Sequence, residues 1–121
     1  MPQAKILVVD DSPTQMKMAT ACLQTQGYRL VTAVDGEEAL QKASSEKPDL
    51  IVLDVILPGQ NGFQICRKLK TTEDTKDIPV VMLTSKNQDS DRFWGLRQGA
   101  DAYLTKPFAD TELLAAVAKH L

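Results

Sequence analysis

Four short apolar runs in this chain end on a reactive or charged side chain, and none of them alternates. Ile6-Leu7-Val8-Val9 leads into Asp10 and Asp11, Leu50-Ile51-Val52-Leu53 into Asp54, Val80-Val81-Met82-Leu83 into Thr84, and Ala102-Tyr103-Leu104 into Thr105, Lys106 and Pro107. Uninterrupted Val, Ile and Leu over this length predict strands covered on both faces, and such strands lie side by side in a parallel sheet. Three carboxylates, a hydroxyl and an ammonium then project from one carboxyl edge, the place where open α/β sheets hold their sites.

Strand and helix alternate five times. A strand from Ala4 to Val9 precedes a helix opened by Ser12 as N-cap with Pro13 at the first helical position, striped by Met16, Ala19 and Leu23 and stopped at Gln26-Gly27. A strand from Tyr28 to Ala33 follows, then a helix that starts near Asp35-Gly36-Glu37, carries Ala39, Leu40 and Ala43, and ends at Lys47-Pro48. The third strand, Asp49 to Asp54, leads through the turn cluster 58–62 to a helix through Leu69. Ile78-Pro79 introduces the fourth strand, and the polar stretch Ser85 to Asp91 enters a helix ending at Gln98-Gly99, in which Phe93 and Leu96 read as a buried stripe. The strand Ala102 to Thr105 and a helix from Asp110, with Leu113, Leu114, Val117 and Leu121, come last.

Five such units with short connections force right-handed crossovers and an α/β, doubly wound, three-layer α/β/α sandwich. The order of strands stays open at this point. Asp10-Asp11-Ser12-Pro13 stands where a dinucleotide-binding chain carries GxGxxG, and two carboxylates there would repel a nucleotide phosphate.

At 121 residues the chain predicts one domain, 1–121, with a core of its own. A formal charge of −2 argues against nucleic acid or an anionic membrane as the main partner. The apolar stretches are far shorter than a membrane span, and the opening Met1–Ile6 lacks the apolar run of a signal peptide, so the expectation is a cytoplasmic protein. Cys22 and Cys66 form no CxxC pair and read as buried thiols, Cys66 sharing a stripe with Gly62, Ile65 and Leu69. His120, the one histidine, reads as a dipole partner at the end of the last helix.

Carboxylates held about 4 Å apart repel by roughly 4 kcal/mol per pair at an effective dielectric of about 20, so Asp10, Asp11 and Asp54 need protons or a cation. A hard divalent ion answers that need, and magnesium, which keeps several waters and takes one or two carboxylates plus phosphate oxygens, suits a site that also receives a phosphoryl group. Simple helix capping by these aspartates would explain one of them but not all three beside Lys106.

Val9-Asp10-Asp11, Leu53-Asp54 followed by Pro58 and Gly62, Thr84-Ser85, and Lys106-Pro107, in this order from Lys5 to Leu121, resemble the receiver domain of two-component response regulators. The segment Asp91 to Pro107 is further similar to single-domain receivers of type IV pilus and twitching systems. The resemblance implies a flavodoxin-like (βα)5 sheet in the order 2-1-3-4-5. It makes Asp54 the phosphoacceptor for a histidine kinase, with Mg²⁺ (or Mn²⁺ in its place) on Asp10, Asp11, Asp54 and the Ile56 backbone carbonyl. Thr84 and Lys106 would each serve a phosphoryl oxygen, and the Lys106–Pro107 peptide would be cis. Tyr103 would swing inward when Thr84 moves. Asn61 stands where aspartate often precedes the glycine, and asparagine tolerates a left-handed turn there as well. Ile56 and Lys86 occupy the variable positions flanking the site.

The implied function is a stand-alone, phosphorylation-dependent binding module of a phosphorelay, possessing only self-phosphotransfer and autodephosphorylation, with no output domain. Its pathway would be pilus motility or chemotaxis. Its target would dock on the fourth helix, fifth strand and fifth helix, the chain being a monomer or a phosphorylation-dependent dimer. A phosphate sink or a receiver fragment of a larger regulator is the alternative. A hydrolase using an aspartyl phosphate would want an aspartate two residues after the nucleophile, where Ile56 stands, and a flavin carrier would want a hydroxyl- and glycine-rich first turn. Trp94 reads as packing or as a partner contact.

Overall fold

The computed structural model describes residues 3–121, so Met1 and Pro2, the first residues of the Met1–Ile6 stretch and of the expected 1–121 domain, lie outside the described residues. The elements are β1 (Lys5–Val9), α1 (Pro13–Gln24), β2 (Arg29–Ala33), α2 (Gly36–Glu46), β3 (Leu50–Leu53), α3 (Gly62–Thr71), β4 (Val80–Thr84), α4 (Asp89–Arg97), β5 (Ala102–Thr105) and α5 (Asp110–His120). All strand pairings are parallel and the order is β2-β1-β3-β4-β5, the flavodoxin-like arrangement expected.

Strand parity sorts the side chains to the two faces. Leu7, Val9, Ile51, Leu53, Val80 and Met82 turn one way, where they meet Ala39 and Ala43 of α2 and Ile65, Cys66 and Leu69 of α3. Ile6, Val8, Leu50, Val52, Val81 and Leu83 turn the other way, onto Ala19, Cys22 and Leu23 of α1 and Leu113 and Val117 of α5. Because helices cover both faces, both parities must be apolar, and that is why β1, β3 and β4 show no alternation. Each fully buried Leu or Ile stabilises the fold by about 1.5–3 kcal/mol.

The sheet's rims depart from the sequence expectation. In β5 only Tyr103 is buried, because an edge strand lacks a neighbour on one side; Ala102 and Leu104 are partly covered. Leu121 is exposed, so the α5 stripe stops at Val117. The largest departure is α4: Phe93 and Leu96 face solvent, and Gly95 is its one buried residue. A Cβ on Gly95 would lie 2.8 Å from the Tyr103 ring and 2.9 Å from Met82 Sδ. The helix therefore rests on its glycine, and its apolar residues turn outward.

Caps fix where the helices start. The Ser12 hydroxyl accepts the Gln15 N–H, Asp35 Oδ1 the Glu38 N–H, and Asn61 Oδ1 the Gln64 N–H. Asn61 is thus extended (φ −83°) rather than left-handed; Gly59 (φ 78°) takes the left-handed position in that turn. α3 runs two residues past Leu69, to Thr71. No described helix is long and apolar enough to cross a membrane.

Candidate functional site

Parallel strands end together, so the residues that follow β1, β3, β4 and β5 gather at one edge. Asp10 and Asp54 are buried there, at 5% and 6% exposure, and Thr84 is fully enclosed. Lys106 reaches across from β5. Its Nζ donates to Asp10 Oδ2 at 2.5 Å and to Asp54 Oδ2 at 3.0 Å, one ammonium bridging two carboxylates. The Lys106–Pro107 peptide is cis. The remaining oxygens are held from below: Asp10 Oδ1 accepts the Ser12 N–H at 2.9 Å and Asp54 Oδ1 the Ile56 N–H at 3.0 Å. Burial alone would pull the Lys106 ammonium down, but its bonds to Asp10 and Asp54 and their charges outweigh that and raise its pKa above the ordinary lysine value.

A cavity of about 410 Å³ opens above this triad. Asp10, Asp11, Asp54, Ile56 and Lys106 line it, so five of the seven residues singled out from the sequence share one space. Asp11 is exposed at its mouth, while Ser85 rather than Thr84 supplies a hydroxyl-bearing wall residue. Thr84 Oγ1 accepts the Lys86 N–H at 3.4 Å. Sequence reasoning missed Gln15, Met18 and Phe108, which complete the wall with Ser12 and Pro107. An apolar side chain left at a site's rim by tertiary packing carries no local signal.

Tyr103 lies one step away. Its ring is buried under Gly95, its hydroxyl donates to the Lys86 carbonyl at 2.8 Å, and the Arg92 guanidinium donates to its carbonyl at 3.1 Å. Tyr103 is inward-facing in this structure, where the missing Cβ of Gly95 leaves room for the ring.

The donor set fits a hard divalent cation, since carboxylate oxygens of Asp10, Asp11 and Asp54 all border the cavity. Among the described residues, however, no three acidic, His or Cys groups converge into a ready cage. Lys106 stands between Asp10 and Asp54 and supplies one positive charge against the three carboxylates that line the cavity.

The family model for the response regulator receiver domain matches residues 6–118. The chain is 45% identical over 114 residues to Protein PilH of Pseudomonas aeruginosa, covering 94% of each chain. Other curated relatives are longer, and the match spans 46% of the transcriptional regulatory protein PhoP of Bacillus subtilis at 48% identity. Among solved structures, the chemotaxis response regulator CheY4 of Vibrio cholerae superposes with a TM-score of 0.91 at 36% identity, over 99% of this chain and 100% of that one. The receiver domain of a sensor histidine kinase from Pseudomonas aeruginosa, whose structure has a magnesium ion coordinated in its active-site cleft, superposes with a TM-score of 0.90 at 30% identity over 98% of both.

Proposed function

The chain belongs to the response regulator receiver family, and on that premise we propose that Asp54 is its phosphoacceptor and that acyl-phosphate formation there switches a protein-binding surface. One observation carries the reading: a buried carboxylate at the carboxyl end of β3 shares an ammonium with a second carboxylate, inside a cavity open to a phosphodonor. An Asp54 carboxylate oxygen attacks the phosphorus of a kinase phosphohistidine; the N–P bond breaks, and the electron pair and a proton go to the imidazole. Lys106 is already within hydrogen-bond reach of Asp54 and needs only a small shift to meet a phosphoryl oxygen as a point charge.

Asp10, Asp11, Asp54 and the Ile56 carbonyl would hold Mg²⁺, which supplies charge neutralisation between phosphoryl and carboxylate oxygens when bound. Manganese prefers the same oxygen donors and would substitute. Thr84 lies behind the wall, and for its hydroxyl to serve a phosphoryl oxygen it must leave the Lys86 N–H. Because the Tyr103 hydroxyl holds the Lys86 carbonyl, motion at Thr84 is felt at Tyr103 and along α4 and β5. That face, around Asp89, Arg92, Leu96 and Tyr103 and on to α5, is the proposed docking surface for a target or a second copy of the chain. The module does no chemistry on outside substrates beyond taking and losing its own phosphoryl group. The likeness to Protein PilH and to a chemotaxis regulator supports a place in pilus or chemotaxis signalling, in the cytoplasm and without contact to nucleic acid or membrane. The same chemistry serves a phosphate sink, or a receiver within a larger regulator.

The test is direct. Acetyl phosphate with Mg²⁺ should label the protein at a base-labile position, and Asp54→Asn should remove the label; persistent labelling of that variant would show that another group accepts.

A further inference from the structure

α4 exposes more apolar surface than a solvated helix does: Phe93, Trp94 and Leu96 are 62%, 52% and 44% exposed. With Gly95 on the sheet and about 100° between residues, Trp94 leans to one flank of the helix, Leu96 to the other, and Phe93 outward. Trp94 and Gln98, one turn apart, meet Asn61, Phe63, Gln64 and Arg67 of the α3 side across a groove of about 440 Å³. α3 packs against α2 but stands off from α4, and the groove is the space so left.

Its charge is of one sign. Gln64, Arg67, Lys68 and Thr71 stand at i, i+3, i+4 and i+7 on one ridge of α3, along a second hollow of about 340 Å³ that shares Gln64 and Arg67 with the first. Neither Arg67 nor Lys68 forms an ion pair among the described residues, whereas Lys70 on the same helix is neutralised by Asp101. On the facing helix Arg97, also unpaired, stacks 5.7 Å from the Phe93 ring centroid and stands one turn beyond Trp94. A chain of net charge −2 thus gathers two unpaired cations, Arg67 and Lys68, beside two aromatic rings, Phe63 and Trp94, along the joined hollows, with the Arg97–Phe93 stack just outside them.

We propose that the α3–α4 groove docks an acidic amphipathic helix of a partner protein, with an apolar side chain against Trp94 and Phe63 and carboxylates on Arg67 and Lys68. Carboxylates at helical spacing match the Arg67–Lys68 ridge in period and in sign, and Trp beside Arg is the pairing that anchors protein interfaces. This surface is the opposite flank of α4 from Leu96, and its occupation requires no phosphoryl group.

A display library of short helical peptides, selected at low salt on the immobilised unphosphorylated chain, tests it. Enriched sequences should set Asp or Glu beside Leu, Phe or Trp, and ¹⁵N shifts on binding should cluster at Phe63, Gln64, Arg67, the Trp94 indole and Gln98. Trp94→Ala and Arg67→Glu should each weaken the best peptide by about tenfold or more, while Lys17→Glu on α1 leaves it unchanged. Both altered side chains are exposed, and matched thermal melts confirm the fold. Enrichment without acidic bias, shifts centred on Asp89, Arg92 and Leu96, binding undiminished in both variants, or a concentration-dependent dimer that Trp94→Ala abolishes would each overturn the proposal, the last by assigning the groove to a second copy.

Discussion

At the scale of single residues the decisive contact is Lys106 between Asp10 and Asp54. Removing the ammonium leaves two buried carboxylates facing each other, so Lys106→Ala should destabilise the metal-free protein by about 2–3 kcal/mol at pH 7, somewhat less than for a fully enclosed pair because the cavity admits water. Since the folded pKa is raised, the contribution is complete below the unfolded lysine value of about 10.4 and fades as pH rises through the higher folded value. Urea midpoints of wild type and variant should run parallel from pH 7 to about 10 and converge above; a gap that stays level in alkali would mean the charge is not what binds the pair. The two thiols make an independent check. Burial, joined by the Asp110 charge, pushes Cys22 up to about 11, and burial despite Lys70 pushes Cys66 up to about 12. A thiol reagent at pH 8 should therefore meet almost no thiolate in the native protein and two reactive thiols after denaturation; rapid native labelling of either would contradict the packing.

Among the elements, α4 shows how far sequence alone reaches. The spacing of Phe93 and Leu96 reads as a buried face, but which way the helix rolls depends on Gly95 seating the Tyr103 ring, a contact between residues on different elements that no local pattern contains. Phe93→Ser should accordingly change stability by no more than about 0.5 kcal/mol, while Gly95→Ala, whose methyl meets the ring and Met82 Sδ, should lose about 1–3 kcal/mol. The reverse ranking in urea unfolding would restore the buried stripe. β1, β3 and β4 were legible because both of their faces are covered, and Asp10, Asp54 and Lys106 because strand ends fix their place whatever their neighbours do. β5 misled because a sheet edge looks like a sheet centre until the order of strands is known. The bridge made by Lys106 was not legible either, since sequence locates an ammonium's backbone and not which oxygens it chooses.

For the whole molecule the two faces are unequal: α1 and α5 cover one, and α2, α3 and α4 the other. A phosphoryl mimic at Asp54 should act on neither face as a whole but at the β4–β5 edge, where α4 and α5 both flank the last strand. Hydrogen exchange with beryllofluoride should change protection in residues 85–105 and leave α1 and α2 nearly as they were; the opposite distribution would remove the α4–β5–α5 surface from consideration. Coupling is reciprocal, so a target that prefers the mimic-bound form must tighten binding of the mimic by the same factor. The direction of the response follows from Gly62. Its N–H is held by the Val55 carbonyl at 2.7 Å, and a Cβ there would collide with the Asp54 carbonyl oxygen and lie 2.6 Å from Val55 Cα. The start of α3 is an anvil set against the back of the strand end that carries Asp54. A push delivered at that carboxylate finds no slack behind it, and the compliant side is the exposed loop after Thr84, pinned by little more than a 3.4 Å hydrogen bond and the tip of one tyrosine.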